Sequence, residues 1–295
     1  MPERRKLLIA YLATPGGDDA LELGVKLARA FSADLDICMV LPPLGPAEQA
    51  AAPGNTDFAE LLDDQAVTWL EEATARVPDD IDAEGRIAFH DNAAEGLVSE
   101  AQSTGCAAII VGGTGGGLIG RHSLGSVVND LLHMSPTPVV ISPRGIRADG
   151  PPVRRITCAV GRRPGAEPLL RAALDACRRT GLPLRLVSLV TGDDHISPWR
   201  QDQKDQAARD TASAYLAEVV ERAHGELGND YPITSSVNAA KSTEEAIASL
   251  DWDDSDIVYV GSSRLAQPFH LFLGATAARM LRVLSVPMVV VPKDA

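Results

Sequence analysis

The 295-residue sequence predicts an α/β fold built from two tandem, doubly wound parallel sheets. Three observations carry that prediction. Short β-rich runs alternate with helical patterns along the whole chain, as βαβ units require. Several runs, such as Ala107–Gly112 and Pro138–Ser142, are continuously apolar, as strands covered on both faces are. The chain also matches itself at a shift of 149 positions: Ala10 falls on Ala159, Pro15-Gly16 on Pro164-Gly165, Leu35 on Leu184, Gly112 on Gly261 and Pro138 on Pro287. One shift that holds from the first strand to the last marks duplication of a whole domain. The expected domains are residues 1–146 and 153–295, joined through the Gly/Pro-rich stretch Arg144–Val153.

In the first repeat the expected strands are Lys6–Leu12, Leu35–Leu41, Arg86–His90, Ala107–Gly112 and Pro138–Ser142. The helices are Asp18–Phe31, Phe58–Arg76, Ala94–Ser103 and Leu124–Met134, the first carrying the apolar stripe Leu21, Leu23, Val25, Leu27 and Ala28. Pro15-Gly16-Gly17 reads as a turn before that helix, and Asp18 and Asp19 as carboxylates favoured at a helix start. The second repeat echoes this with strands Arg155–Val160, Leu184–Leu189, Ile233–Val237, Asp256–Gly261 and Pro287–Val291, and helices Ala166–Arg179, Asp202–His224, Thr243–Leu250 and Gly274–Val283. Pro42–Asn55 and Thr191–Gln201 read as connectors, with Trp199 packed beneath the second. Val139–Ile141 and Val289–Val291 are apolar edge strands, and two such edges within one chain can pair with each other.

Composition narrows the partners. Apolar residues make up 45% and charged residues 23%, an ordinary globular balance. The net charge of −13 repels nucleic acid and anionic lipid, so neither is an expected partner. Residues 1–147 hold 10 basic and 21 acidic side chains, a net of −11; the remainder holds 17 and 19, a net of −2. The basic, briefly apolar start MPERRKLLIAYLATPGGDD reads as a first strand rather than a signal peptide, and no run of about 18 apolar residues suggests a membrane span. Cys38, Cys106, Cys158 and Cys177 are scattered through apolar stretches, as buried thiols in a reducing compartment are, and a cytoplasmic location is expected.

Ligands of doubly wound sheets sit beyond the carboxyl ends of the strands, where the strand order reverses. The loop after the fourth strand is rich in glycine there: Gly112-Gly113-Thr114-Gly115-Gly116-Gly117, then Gly120-Arg121-His122 and Gly125-Ser126 at a helix start. Glycines let a ligand approach the backbone, and a helix start offers free N–H groups and partial positive charge. Ser126 can cap that helix or donate to a phosphate oxygen, and Arg121 and His122 are the local cations. Arg121-His122 stand where a Walker A loop needs Lys-Ser/Thr.

The spacing Gly112-x2-Gly115-x9-Gly125-Ser126, after a fourth strand and before Pro138-Val-Val-Ile, resembles the ATP-binding universal stress proteins, twice over along nearly the whole chain. The resemblance implies a Rossmann-like five-stranded parallel sheet with order 3-2-1-4-5 in each repeat, ATP on the glycine loop with room for magnesium, a homodimer or a regulatory protein partner, and a role in stress survival or growth control. Carried over by position, Gly112, Gly115, Gly125 and Ser126 touch phosphates and ribose. Val111 and Val127 flank them, Arg121 supplies charge, and Tyr11, Leu12 and Val40 meet the nucleoside end.

The chain departs from that pattern at the nucleoside end. Leu12 occupies the position of the family's Asp after strand one, and losing such a buried partner costs about 1–3 kcal/mol. In the second repeat Arg264 replaces Gly115, Gly274-Ala275 replaces Gly125-Ser126, and Gly161 takes the Asp position. That repeat therefore reads as a structural partner without ATP. Three functions stay open: a nucleotide sensor, an interaction scaffold that has lost nucleotide, and an enzyme. For the last, Pro15-Gly16-Gly17-Asp18-Asp19 is similar to the pyrophosphate loop of ATP pyrophosphatases but lacks its leading Ser, and no nucleophile–base set is legible around any histidine.

Overall fold

The computed structural model describes residues 4–43, 56–113, 125–162, 165–191, 198–262, 271 and 273–293. The first repeat runs β1 (Lys6–Ala10), α1 (Pro15–Phe31), β2 (Asp34–Leu41), α2 (Thr56–Ala75), β3 (Ala83–Phe89), α3 (Ala93–Ser103), β4 (Ala108–Gly112), α4 (Ser126–Met134) and β5 (Val139–Ser142). The second runs β6 (Arg155–Ala159), α5 (Ala166–Thr180), β7 (Leu184–Thr191), α6 (Pro198–Leu227), β8 (Ile233–Ala240), α7 (Thr243–Ala248), β9 (Asp256–Gly261), α8 (Ala275–Val283) and β10 (Met288–Val291).

All ten strands form one sheet, in the order β3-β2-β1-β4-β5-β10-β9-β6-β7-β8. Each half keeps the order 3-2-1-4-5 with parallel neighbours, and the junction is antiparallel: Met288 pairs with Ile141, Val289 with Val140 and Val290 with Val139. The two apolar edges thus bury each other at the centre of the molecule. Val140 and Val289 face the core under α1, α2, α5 and α6. Val139, Ile141, Met288 and Val290 face the core under α3, α4, α7 and α8. Each face therefore carries one apolar layer running through both repeats.

Several boundaries differ from expectation. Strand β1 stops at Ala10, and α1 begins at Pro15, so Pro15-Gly16-Gly17 forms its first turn rather than a turn ahead of it. Proline's fixed φ suits the first helical position, and the Thr14 hydroxyl accepts from Gly17 N at 3.2 Å as the N-cap. Helix α6 starts at Pro198, so the end of the segment expected as a connector, Trp199 included, is helical. Residues 44–55 and 192–197, the rest of the two connectors, lie outside the described residues.

The seam is docked against α1. Asp19 accepts from Gly145 N at 2.9 Å and Glu22 from Ala148 N at 2.7 Å, while the Ser142 hydroxyl donates to Asp19 O at 2.9 Å. Asp19 is therefore a linker anchor rather than a plain helix-start charge, and burial raises its pKa. Asp18 pairs with Arg76 of the α2 end.

The lower ends of the sheet carry buried charges of opposite arrangement. In the first repeat Lys6 meets the buried Asp36 at 3.3 Å. In the second, the position of Asp36 is taken by Arg185, and both Arg155 (2.6 Å) and Arg185 (3.3 Å) meet the buried Asp256. Arg185 also donates to Asp251 O at 2.6 Å and lies 4.7 Å from the Trp252 ring centroid. All four cysteines are free and buried, and burial pushes the Cys38 thiol up to about 12.

Candidate functional site

Parallel strands within each half and an antiparallel junction put the carboxyl ends of the two repeats on opposite edges of the sheet. Each repeat consequently has its own switch-point crevice, between its first and fourth strands.

In the first repeat this crevice is built from main chain. An added Cβ on Gly112 would collide with the carbonyl of Gly16, so the end of β4 and the first turn of α1 touch backbone to backbone. A Cβ on Gly16 would come within 3.1 Å of Gly113 O. The second repeat is looser: the nearest atom to a Cβ on Gly261 would be Gly165 O at 3.6 Å. From sequence, Gly16 reads only as part of a turn and Gly113 only as a member of the glycine loop; the repeat alignment pairs Gly16 with Gly165 and marks the position.

Helix α4 begins beside this crevice, because it returns from β4 in a βαβ connection. Ser126 is its first residue and is exposed; the N-cap is Gly125, with φ −74° and ψ 170°, and no side chain caps the helix. The expectation that Ser126 caps is thus corrected: a residue already in helical conformation cannot reach its own first-turn amides as an N-cap does. The leading N–H groups carry no side-chain cap, and Ser126 is exposed at the helix start. Helix α8 begins in the same way at Gly274 (φ −71°, ψ 160°), with Ala275 in place of the serine.

The apolar members are split by the strand's two-residue period. Val111 is buried in the α3/α4 core, and Val40, Val127 and Ala10 pack against that same core. The Tyr11 side chain lies in the opposite core, under α1 and α2. Burial, then the charge of Asp18, raises the Tyr11 pKa, with Arg76 opposing. The structure therefore separates Tyr11 from Val40, Val111 and Val127. Leu12 is 52% exposed just beyond β1. Gly115, Arg121 and His122, and Arg264 in the second repeat, lie outside the described residues.

Two residues just before α8 reach across the junction. Leu271 N–H donates to Ser135 O at 2.9 Å and Leu273 N–H to Leu132 O at 3.1 Å, both carbonyls at the end of α4. The Leu271 side chain is fully buried in the core under α4 and α8. The apolar run Phe269-His270-Leu271-Phe272-Leu273 was the available sequence signal; the first repeat has a polar stretch there. Among the described residues, no helix is long and apolar enough to cross a membrane.

The comparisons agree with this architecture. The Universal stress protein family profile matches residues 3–143 and again 152–292. Universal stress proteins of Mycobacterium tuberculosis and Mycobacterium bovis are 24% identical over 300 residues, covering 97% of this chain and 99% of each relative. A universal stress protein from Archaeoglobus fulgidus superposes with a TM-score of 0.66 at 14% identity, covering 98% of both chains. A putative one from Pseudomonas aeruginosa gives 0.58 at 17% identity, covering 98% of this chain and 93% of that one. With two copies of the family's domain spanning almost its whole length, the chain belongs to the universal stress protein family.

Proposed function

We propose that the first repeat binds an adenine nucleotide of the ATP class and acts as a regulatory module rather than an enzyme, with the second repeat as its structural partner. The observation that carries this reading is the α4 start, with no side-chain cap and an exposed Ser126, following in the chain a strand end that tolerates only glycine. The glycine loop 112–126 joins the two, and Gly112, Gly115, Gly125 and Ser126 would hold phosphate and ribose oxygens. Val40 and Val127, half-buried on one side of the sheet over the buried Val111, suit the apolar face of a base. A magnesium ion would ride on the phosphates, with no further role assigned to it.

The interaction scaffold without nucleotide remains the second reading, and Leu12 favours it. An exposed leucine at the position of the family's Asp leaves the nucleoside end without a carboxylate. Equilibrium binding of labelled ATP to the full chain separates the two readings. Micromolar binding that Gly115→Arg abolishes and Leu12→Asp tightens about ten- to a hundred-fold supports the sensor. No binding by either the parent or Leu12→Asp supports the scaffold.

A further inference from the structure

A second concave site lies under the junction, on the side of the sheet opposite α4, and both repeats build it. Its floor includes Val140 and Val289 of the central strand pair; one wall is Leu27 and Phe31 of α1, the other Ala172 and Ala176 of α5. The cavity holds about 130 Å³ and is mostly apolar. Nothing in the crevices described above contributes to it.

Three of its four polar residues break the repeat symmetry, and Arg5 matches Arg154. Tyr259 of β9 lines the cavity, and its counterpart in the first repeat is Ile110. Tyr259 is 8% exposed, and its hydroxyl makes no hydrogen bond among the described residues. Arg5, Asp175 and Arg179 also line the site. Asp175 neutralises Arg5 through an ion pair at 2.9 Å, whereas Arg179 has no ion-pair partner among the described residues. The counterparts of Asp175 and Arg179 are Lys26 and Ala30. The site thus has an apolar body, one phenol hydroxyl bonded to no protein group among the described residues, and one surplus positive charge, on a protein whose net charge is strongly negative.

We infer that this inter-repeat cavity is a binding site for a small organic monoanion with a benzene-sized apolar body, an aromatic or short branched carboxylate. The volume sets the size, since a cavity of about 150 Å³ accommodates benzene. The carboxylate would accept from the Tyr259 hydroxyl and face Arg179, while the apolar body rests between α1 and α5. Because both repeats supply walls, occupancy would stiffen the junction between them.

Benzoate is the probe, titrated calorimetrically into the full chain, with benzyl alcohol as the neutral match. Saturable benzoate binding, about tenfold tighter than benzyl alcohol, is expected. Tyr259→Phe should weaken benzoate about fivefold and benzyl alcohol less, since an alcohol oxygen accepts from the same phenol; Arg179→Ala, at an exposed position, should weaken benzoate about fivefold and leave benzyl alcohol unchanged, without touching the fold. Ala172→Leu fills the cavity and should abolish both. Absence of saturable benzoate binding overturns the site. Equal affinity for the two probes overturns the anionic ligand class, and binding unchanged in Ala172→Leu places benzoate elsewhere and overturns the cavity assignment. Far-ultraviolet circular dichroism and a thermal melt on each variant separate a lost site from a lost fold.

Discussion

Leu271 of the second repeat donates its backbone N–H to the carbonyl of Ser135 in the first, at 2.9 Å, while its side chain is wholly buried beside α4. Residue 271 belongs to the loop that corresponds to the glycine loop of the first repeat. Leu271 and Leu273 serve cohesion between the halves, satisfying carbonyls that the end of α4 leaves free.

Truncating this contact tests the arrangement. Leu271→Ala should destabilise the protein by about 2–5 kcal/mol, as for other buried leucines. Urea denaturation followed by fluorescence should show one transition in the parent, because both core layers run through the junction. Two separated transitions in the parent protein would show that the repeats unfold independently.

The two strand-four glycines should respond unequally. Gly112→Ala drives a methyl group into the Gly16 backbone, which has no rotamer to escape with, and should cost about 1–3 kcal/mol or more. Gly261→Ala meets its nearest atom at an ordinary 3.6 Å and should fall within about 0.5 kcal/mol of the parent. Chemical denaturation of the pair measures the difference directly.

The buried Asp256 holds two guanidiniums together, so its removal leaves like charges facing each other. Asp256→Asn should cost about 3–5 kcal/mol. Asp36→Asn in the first repeat should cost less, because its partner Lys6 is more than a third exposed. Equal losses in a denaturant series would mean that the Arg155–Asp256–Arg185 cluster is no more interdependent than a single ion pair.

Lys26 supplies a pH test. It is buried on α1, and burial lowers its pKa below the usual lysine value, with Asp254 and Asp149 opposing. The folded state therefore binds fewer protons than the unfolded chain between that lowered pKa and the unfolded value of about 10.4, so stability rises with pH across that window. Lys26→Met should be more stable than the parent near neutral pH, and its advantage should shrink as pH approaches 10. Denaturation midpoints of both proteins from pH 7 to 10 report it; a constant gap would remove the charge of Lys26 from the account.

Much of this molecule was legible as text. The runs Ile109-Ile110-Val111 and Val139-Val140-Ile141 could only be strands covered on both sides, and the repeat shift located their twins. The glycines at 112 and 261 marked the two equivalent strand ends, of which the one at 112 is where backbone must approach backbone. Less was legible at the turns. The capping role of Thr14, with Pro15 opening α1, depends on a single hydroxyl-to-amide bond, and the same letters also fit a free turn. The side to which Tyr11 turns depends on where β1 enters the sheet, since one residue's difference moves a side chain to the other face.

The sequence alone determined the doubling, the parallel α/β character of each half and the unequal residue types of the two loops, because these follow from local periodicity and from residue types that restrict or free the backbone. Only the tertiary structure decided that ten strands share one sheet, that Leu271 secures α4, and that Tyr259 ends beside Arg5 and Asp175 in a cavity neither repeat could form alone. Those outcomes depend on which surfaces meet across the junction, and a chain's letters fix such meetings only through the summed packing of residues far apart along it.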